Sequence, residues 1–443
     1  MRKPRLFATA STLALLTAAL VSCGGQTVPQ AQGTPAATAS TTGQTDLVAS
    51  GQIVSVSVRP GTTEADLASR YPTGKLLDLH ASEGYAQLWV PTLDDAAPRV
   101  ALGALSLNAQ AVTLTAVEPD AVLNTGDTQA QGNGVWAGGN GVWAGGASVL
   151  TGGIAANTFI ENASAWNLID LAGGQKLAPT LGKGVSVAVL DTGIDINHPA
   201  FAGHLNVTAG WDYVGGDATP QEENAGSSYG HGTAVAGVIL QVAPNVTIIP
   251  FRVLNPGGQG KLSNVIMAIN DAVKCGAKVI NMSLGSNNGS AALSSALESA
   301  IRSGVMVVAS SGNTGDDKVT YPARYSADAQ ANLALGGGLL SVGSESLGKL
   351  KSKFSTYGII DLVAPGELIR TTYPANQVTN ATGTSFAAPI VSGAVALGMS
   401  TGFTDVIAIS KFIRARTAPT LDATFLGQLG GGSLNVSKLM GGK

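Results

Sequence analysis

Short, uninterrupted apolar runs recur along the chain from about residue 157 onward, and they set the fold class. "GVSVAVLD", "TIIPFRVL", "AKVINMSL", "GVMVVAS" and "LLSVGS" show no regular polar alternation, as strands buried on both faces require. Between them, "NVIMAINDAVKC" and "SSALESAIRS" place apolar residues at helical spacing. Alternation of this kind predicts α/β architecture, a doubly wound parallel sheet with chemistry at the C-terminal ends of its strands. A further stretch, 386–399, is apolar nearly all round and rich in Ala and Gly, which predicts a helix buried on every side. Ser385 precedes it and reads as its N-cap, and Pro389 then falls in the first turn, where its missing N–H costs little.

The N-terminal part has a different pattern. "QIVSVSV" alternates like a half-buried strand, "TTEADLASRY" opens with a Thr cap and reads as a helix, and "KLLDLH" and "YAQLWVP" read as a strand pair. A second helix in "TLDDAAPRVALGAL" and a last strand in "AVTLTAVEPD" complete βαββαβ, a small ferredoxin-like α+β unit over 50–123. Residues 124–156 form a Gly-rich linker with "NGVWAGG" at 133–139 and again at 140–146. Two copies are too few for a solenoid, and Trp136 and Trp143 read as docking loosely on a neighbouring domain. Residues 24–49 are Gly, Ser, Thr, Pro, Ala and Gln with almost no charge, the composition of a flexible tether.

Residues 1–23 combine a basic "MRKPR", an apolar "LFATASTLALLTAAL" and "LVSC" ending at Cys23. The pattern resembles a bacterial lipoprotein signal peptide, in which Cys23 of the lipobox is acylated, and it implies export. Of the two cysteines, Cys275 then has no partner, so no disulfide staples the mature fold, and Cys275 reads as a buried small residue. A formal net charge of −3 with 12% charged residues excludes a strongly basic surface for nucleic acid. A length of 443 residues allows two or three units.

Candidate chemistry gathers in three motifs. "VAVLDTGID" puts Asp191 at the tip of a buried strand, "YGHGTAVAG" puts His231 at the start of a small-residue helix, and "ATGTSFAAP" contains Ser385. Singly, Asp191 could cap a turn, His231 could be a core histidine and Ser385 a helix cap. Together they supply a nucleophile, a base and a carboxylate that orients the base. The chain order Asp, His, Ser and the lack of a "GxSxG" elbow exclude an α/β-hydrolase.

These motifs, with "SSGNTG" around Asn313, resemble the catalytic domain of subtilisin-like serine peptidases over residues 160–440. The resemblance implies a subtilisin-like peptidase domain at 157–443, catalytic Asp191, His231 and Ser385, and an oxyanion hole at Asn313. It places Ser283, Leu284, Gly285, Ser310, Ser311 and Gly312 along the S1 pocket, with Thr320 at its floor. Gly258 and Gly260 of "GGQG" would pair with the substrate backbone, and Thr320 would shorten the pocket toward modest apolar P1 residues. The βαββαβ unit resembles the family's inhibitory prodomain, so the chain reads as a zymogen that cuts itself within 124–157. Because Cys23 lies on the prodomain side, maturation would release the catalytic domain from the membrane to the cell surface or the medium.

Partners implied are protein or peptide substrates, the chain's own prodomain and, through Cys23, a membrane, with no nucleic acid. No cofactor is required. Calcium is the one candidate metal, but between "HGTAVAGVIL" and "VAP" the loop that carries the family's tight calcium site is missing. Asp212, Asp217, Glu222 and Glu223 offer alternative oxygens and read as solvated loop carboxylates. Ala234 and Ile390 stand where many relatives carry His, both outside the triad. The competing reading is a catalytically silent binding protein on a peptidase scaffold, against which the intact triad and Asn313 argue. His231 likewise argues against the acid-active relatives that use Glu in its place.

Overall fold

The structure, a computed structural model, describes residues 51–91, 113–125, 159–326 and 337–442. The signal segment with Cys23, the tether, the second helix expected in 92–105, and the repeat with Trp136 and Trp143 lie outside the described residues.

The N-terminal unit comprises strand β1 (Gly51–Ser57), helix α1 (Glu64–Arg70), and strands β2 (Lys75–His80), β3 (Tyr85–Pro91) and β4 (Thr113–Pro119). The strands form an antiparallel sheet in the order β2-β3-β1-β4, with β1 central as split βαβ connectivity needs. Helix α1 starts at a capping box in which Thr63 and Asp66 satisfy each other's backbone N–H. Alternation along β1 sends Val54 and Val56 to a small core with Leu67 and Leu88. Ile53 and Leu77 instead join the large core of the following unit. A short strand, β5 (Val122–Asn124), follows.

The C-terminal unit is built on β6 (Ser186–Asp191), β7 (Trp211–Asp212), β8 (Thr247–Arg252), β10 (Val279–Met282), β11 (Met306–Ser310), β12 (Leu339–Glu345) and β13 (Leu362–Pro365), with the short β9 (Gln259–Lys261) outside the main sheet. These seven strands run parallel in the order β13-β12-β11-β10-β6-β8-β7. Chain order reverses at β6, the switch point at which such sheets open a crevice, and Asp191 is its last residue. Four helices matter for the site: α2 (His231–Val242), α3 (Leu262–Lys274), α4 (Ala291–Arg302) and α5 (Thr384–Ser400). A hairpin of β14 (Ile369–Tyr373) and β15 (Gln377–Ala381) closes over α2.

Every residue of α2 is buried, as are Thr384 to Gly398 of α5, which is why neither stretch shows an amphipathic stripe in the sequence. The two pack so closely that a Cβ on Gly393 would lie 2.7 Å from Cβ of Val242. Among the described residues, no helix is long and apolar enough to cross a membrane.

Two local expectations need correction. The N-cap of α5 is Gly383 and Ser385 is its second residue, because Thr384 already donates its N–H and hydroxyl to Oδ1 of Asn313 at 2.9 and 2.8 Å. Pro389 is therefore the sixth residue of the helix, inside it rather than in its first turn. Cys275 is half-buried rather than buried, since it caps the C-terminus of α3 where Gly276, at φ +78°, turns the chain outward.

Candidate active site

Three elements converge at the open end of the sheet. Asp191 ends β6, His231 is the first residue of α2, and Ser385 lies in the first turn of α5. All three are fully buried by the surrounding chain. His231 Nδ1 lies 2.7 Å from Oδ1 of Asp191, and the imidazole packs tilted against Phe386 at 5.4 Å between centroids. The Thr192 N–H donates to the same Oδ1 at 2.7 Å, fixing the carboxylate. A carboxylate so placed keeps the Nδ1–H tautomer, so Nε2 is the nitrogen that can accept a proton.

Close backbone approach brings α2 to β6. A Cβ on Gly232 would meet the carbonyl oxygen of Gly193 at 2.1 Å, so only glycine allows the helix this near to the Asp191 turn. Gly230, at φ +88°, caps α2 with no side chain, and a Cβ there would strike Tyr373 at 2.4 Å.

The start of α5 is held by polar groups from three segments. Pro389 has no N–H to return to the Ser385 carbonyl, and the Ser283 hydroxyl donates to that carbonyl instead at 2.8 Å. Ser283 is itself held by Asn281 Nδ2 at 3.0 Å, and Asn281 Oδ1 accepts from Ser392 at 2.8 Å. Asn313 spends Oδ1 on Thr384, which points the donor end of its amide away from that helix turn. Thr384 and its hydroxyl, which also accepts from Gly312 N–H at 3.3 Å, are site components that the motif reading missed.

The remaining expected site residues divide. Gly285, Gly312 and Thr320 come together, since Cβ atoms on the two glycines would lie 2.5 and 3.2 Å from Thr320 side-chain atoms. Ser311 is tied to Thr320, accepting its N–H at 3.0 Å, and donates its hydroxyl to Thr356. Ser310 ends β11, and Leu284 is buried in the core. Gly258 approaches Thr125 and Ser228, whereas the crowding at Gly260 comes from Val253 and Leu254 rather than from a peptide.

A segment of the chain itself occupies the cleft. β5 pairs antiparallel with β9, so Leu123 faces Gly260 and Asn124 faces Gln259. On its other side Asn124 exchanges two hydrogen bonds with Gly285, at 2.9 and 2.7 Å, and Thr125 N–H donates to Gly258 at 3.0 Å. Leu123 is 1% exposed, and the Ser385 hydroxyl donates to the Thr125 carbonyl at 3.3 Å. Asn124, read from sequence as the start of a linker, is thus the last residue of β5, and Thr125 follows it against Gly258.

The loop carboxylates are not all solvated. Asp212, 2% exposed, accepts from Arg252 at 2.8 Å and from the N–H groups of Val214 and Gly215, and Glu223 takes the other arm of Arg252. Glu222 is 5% exposed and faces α2. Arg252 thus pairs with both Asp212 and Glu223. In the turn 243–246, Asn245 donates its amide to the Thr180 carbonyl, and no residue of the turn carries a carboxylate.

Comparison with known proteins follows the geometry. The model described as Subtilase family matches residues 182–412. Thermitase of Thermoactinomyces vulgaris is 39% identical over 232 residues, covering 50% of this chain and 77% of that protein. Subtilisin BL of Lederbergia lenta is 40% identical over 226 residues, covering 49% and 76%. The crystal structure of a cold adapted subtilisin-like serine proteinase has 32% identity and a TM-score of 0.49, covering 58% of this chain and 89% of that one. The matched region contains Asp191, His231 and Ser385, and the chain belongs to the Subtilase family of serine peptidases.

Proposed function

We propose that this protein is an exported serine endopeptidase made as a zymogen, which separates its own N-terminal unit from its peptidase unit. The observation that carries the reading is β5 with Thr125 after it, lying as a substrate would between Gly258–Gly260 and Gly285 with the Thr125 carbonyl against Ser385. Ser385 Oγ attacks the peptide carbonyl while His231 Nε2 takes its proton, and Asp191 stabilises the imidazolium. The Asn313 amide and the Ser385 N–H hold the oxyanion, aided by the positive end of α5. His231 then gives its proton to the leaving amine, and water repeats the sequence on the acyl-enzyme.

In this reading the cut falls within two residues of Thr125, leaving a small residue in a pocket that Thr320 shortens. The N-terminal unit acts as inhibitor until then, and acylated Cys23 would hold the precursor on a membrane that maturation leaves behind. The chemistry needs no metal. A fluorophosphonate serine reagent tests the site: the wild type should take up one label on Ser385 and lose peptidase activity. Ser385→Ala should take up none and hydrolyse nothing. Labelling elsewhere, or hydrolysis by the variant, would refute the assignment.

A further inference from the structure

The mechanism leaves one buried carboxylate beside the triad unused. Glu222 reaches in from the loop before α2, and its Oε2 accepts from the Thr233 N–H at 3.3 Å and the Thr233 hydroxyl at 2.9 Å. The Thr192 hydroxyl and the Gly230 N–H lie near the same carboxylate and favour its charged form. Thr192 Oγ1 in turn accepts from the Gly232 N–H at 3.0 Å. Thr192 follows Asp191, while Gly230, Gly232 and Thr233 bracket His231. The first N–H groups of a helix have no partners within it, and the N-cap Gly230 has no side chain to offer. Glu222, eight residues before that N-cap, caps α2 through Thr233, in the same turn whose Gly232 N–H reaches Thr192 after β6.

We propose that Glu222 is a positioning residue for catalysis: by capping the first turn of α2, whose Gly232 N–H holds Thr192, it fixes the Asp191 carboxylate against the His231 imidazole and adds a charge that tunes that base. The inference rests on the triad reading above. Asp191 needs such a clamp because Thr192 N–H and His231 Nδ1 both meet Oδ1, while among the described residues Oδ2 has no hydrogen-bond partner. Rotation of Asp191 is therefore governed by Thr192, and Thr192 is held by Gly232 in the turn that Glu222 caps.

The titratable groups facing Glu222 are Asp191 from β6, Tyr229 from the preceding loop and Tyr373 from β14, with Asp195 beyond Tyr229 and His231 in the same turn. Burial pushes the Glu222 carboxyl up to about 7, against the hydrogen bonds from Thr192, Gly230 and Thr233. Its charge thus changes where a histidine base must become neutral. An anionic Glu222 stabilises the imidazolium, so removing that charge should make His231 a free base at lower pH.

The test compares wild type, Glu222→Gln and Thr192→Val, each expressed as the full chain and assayed after maturation, with working sites counted by fluorophosphonate labelling so that rates are per site. Glu222→Gln keeps an acceptor for Thr233 and removes the charge. It should lower kcat roughly tenfold with KM within about twofold, and move the acid limb of kcat/KM down by about half a pH unit. Thr192→Val keeps the charge and breaks the tie, so it should lower kcat without moving that limb. A Glu222→Gln enzyme with kcat within about twofold of wild type and an unmoved limb overturns the proposal. Should that variant not fold, unchanged kcat in Thr192→Val overturns it equally. A wild type that takes no label would instead sink the triad reading.

Discussion

Helices α2 and α3 both begin without a side-chain cap of their own, and both take a carboxylate from a distant segment. Glu222 serves α2 from within the same unit, buried and surrounded. Asp120 serves α3 from the N-terminal unit: its two oxygens accept the Ser263 N–H and hydroxyl, each at 2.8 Å, where Lys261 supplies no cap. Glu118 does the same for α4, accepting Ala292 N–H at 2.7 Å. The difference lies in permanence. One joint locks catalytic groups together for the life of the enzyme, whereas the other two are made by a segment that self-cleavage would detach.

Among the described residues of the N-terminal unit, Val54, Val56, Val58, Leu67, Tyr71, Ala86 and Leu88 form a core of its own, while Ile53 and Leu77 join the larger unit's core, so those joints sit beside a shared apolar contact.

The largest expected effect tests whether the removable joint is undone by this chain's own chemistry. Ser385→Ala should abolish peptidase activity, a loss of about 10⁶-fold, the size seen on removing the nucleophile of subtilisin itself and carried over from that relative. Asn313→Ala should cost about 10²- to 10³-fold in kcat, again the value from subtilisin, with KM little changed in peptide assays. Weakening the removable joint alone is milder. Asp120→Ala in a separately added N-terminal segment should raise its inhibition constant for the mature enzyme about fivefold, since a lost cap costs about 1 kcal/mol.

The buried carboxyls give a pH signature. Burial raises both Glu222 and Glu345 from 4.5 to about 7. Between those values the folded chain keeps a proton that the unfolded chain has lost, so stability declines as pH rises through that window and is flat above it. Calorimetry on Ser385→Ala, which cannot digest itself, should show the thermal midpoint falling from pH 5 to pH 8. Glu345→Gln should flatten part of that fall. The smallest effect expected is that of EDTA, which should leave the midpoint unchanged, because Arg252 already neutralises Asp212 and Glu223.

The parallel sheet was legible because strands buried on both faces leave apolar runs that no surface element produces. The three motifs were legible because each couples a reactive side chain to glycines that close backbone approach demands, as at Gly232. Ser385 was misread as a cap because the competing partner of Thr384, Asn313, lies 71 residues away. Glu222 was misread as solvated because a charged loop residue betrays nothing of what folds over it. Asn124 and Thr125 were assigned to a linker because a three-residue strand takes its pairing from segments more than a hundred residues distant.

The central claim is that segment 122–125 is the enzyme's first substrate, and N-terminal sequencing with intact mass, on wild type beside Ser385→Ala, tests it most directly. The account predicts a wild-type peptidase chain beginning at Gly126 or Asp127, with the variant uncut there. A wild type that stays joined across this segment, or a variant cut at the same bond, would contradict it.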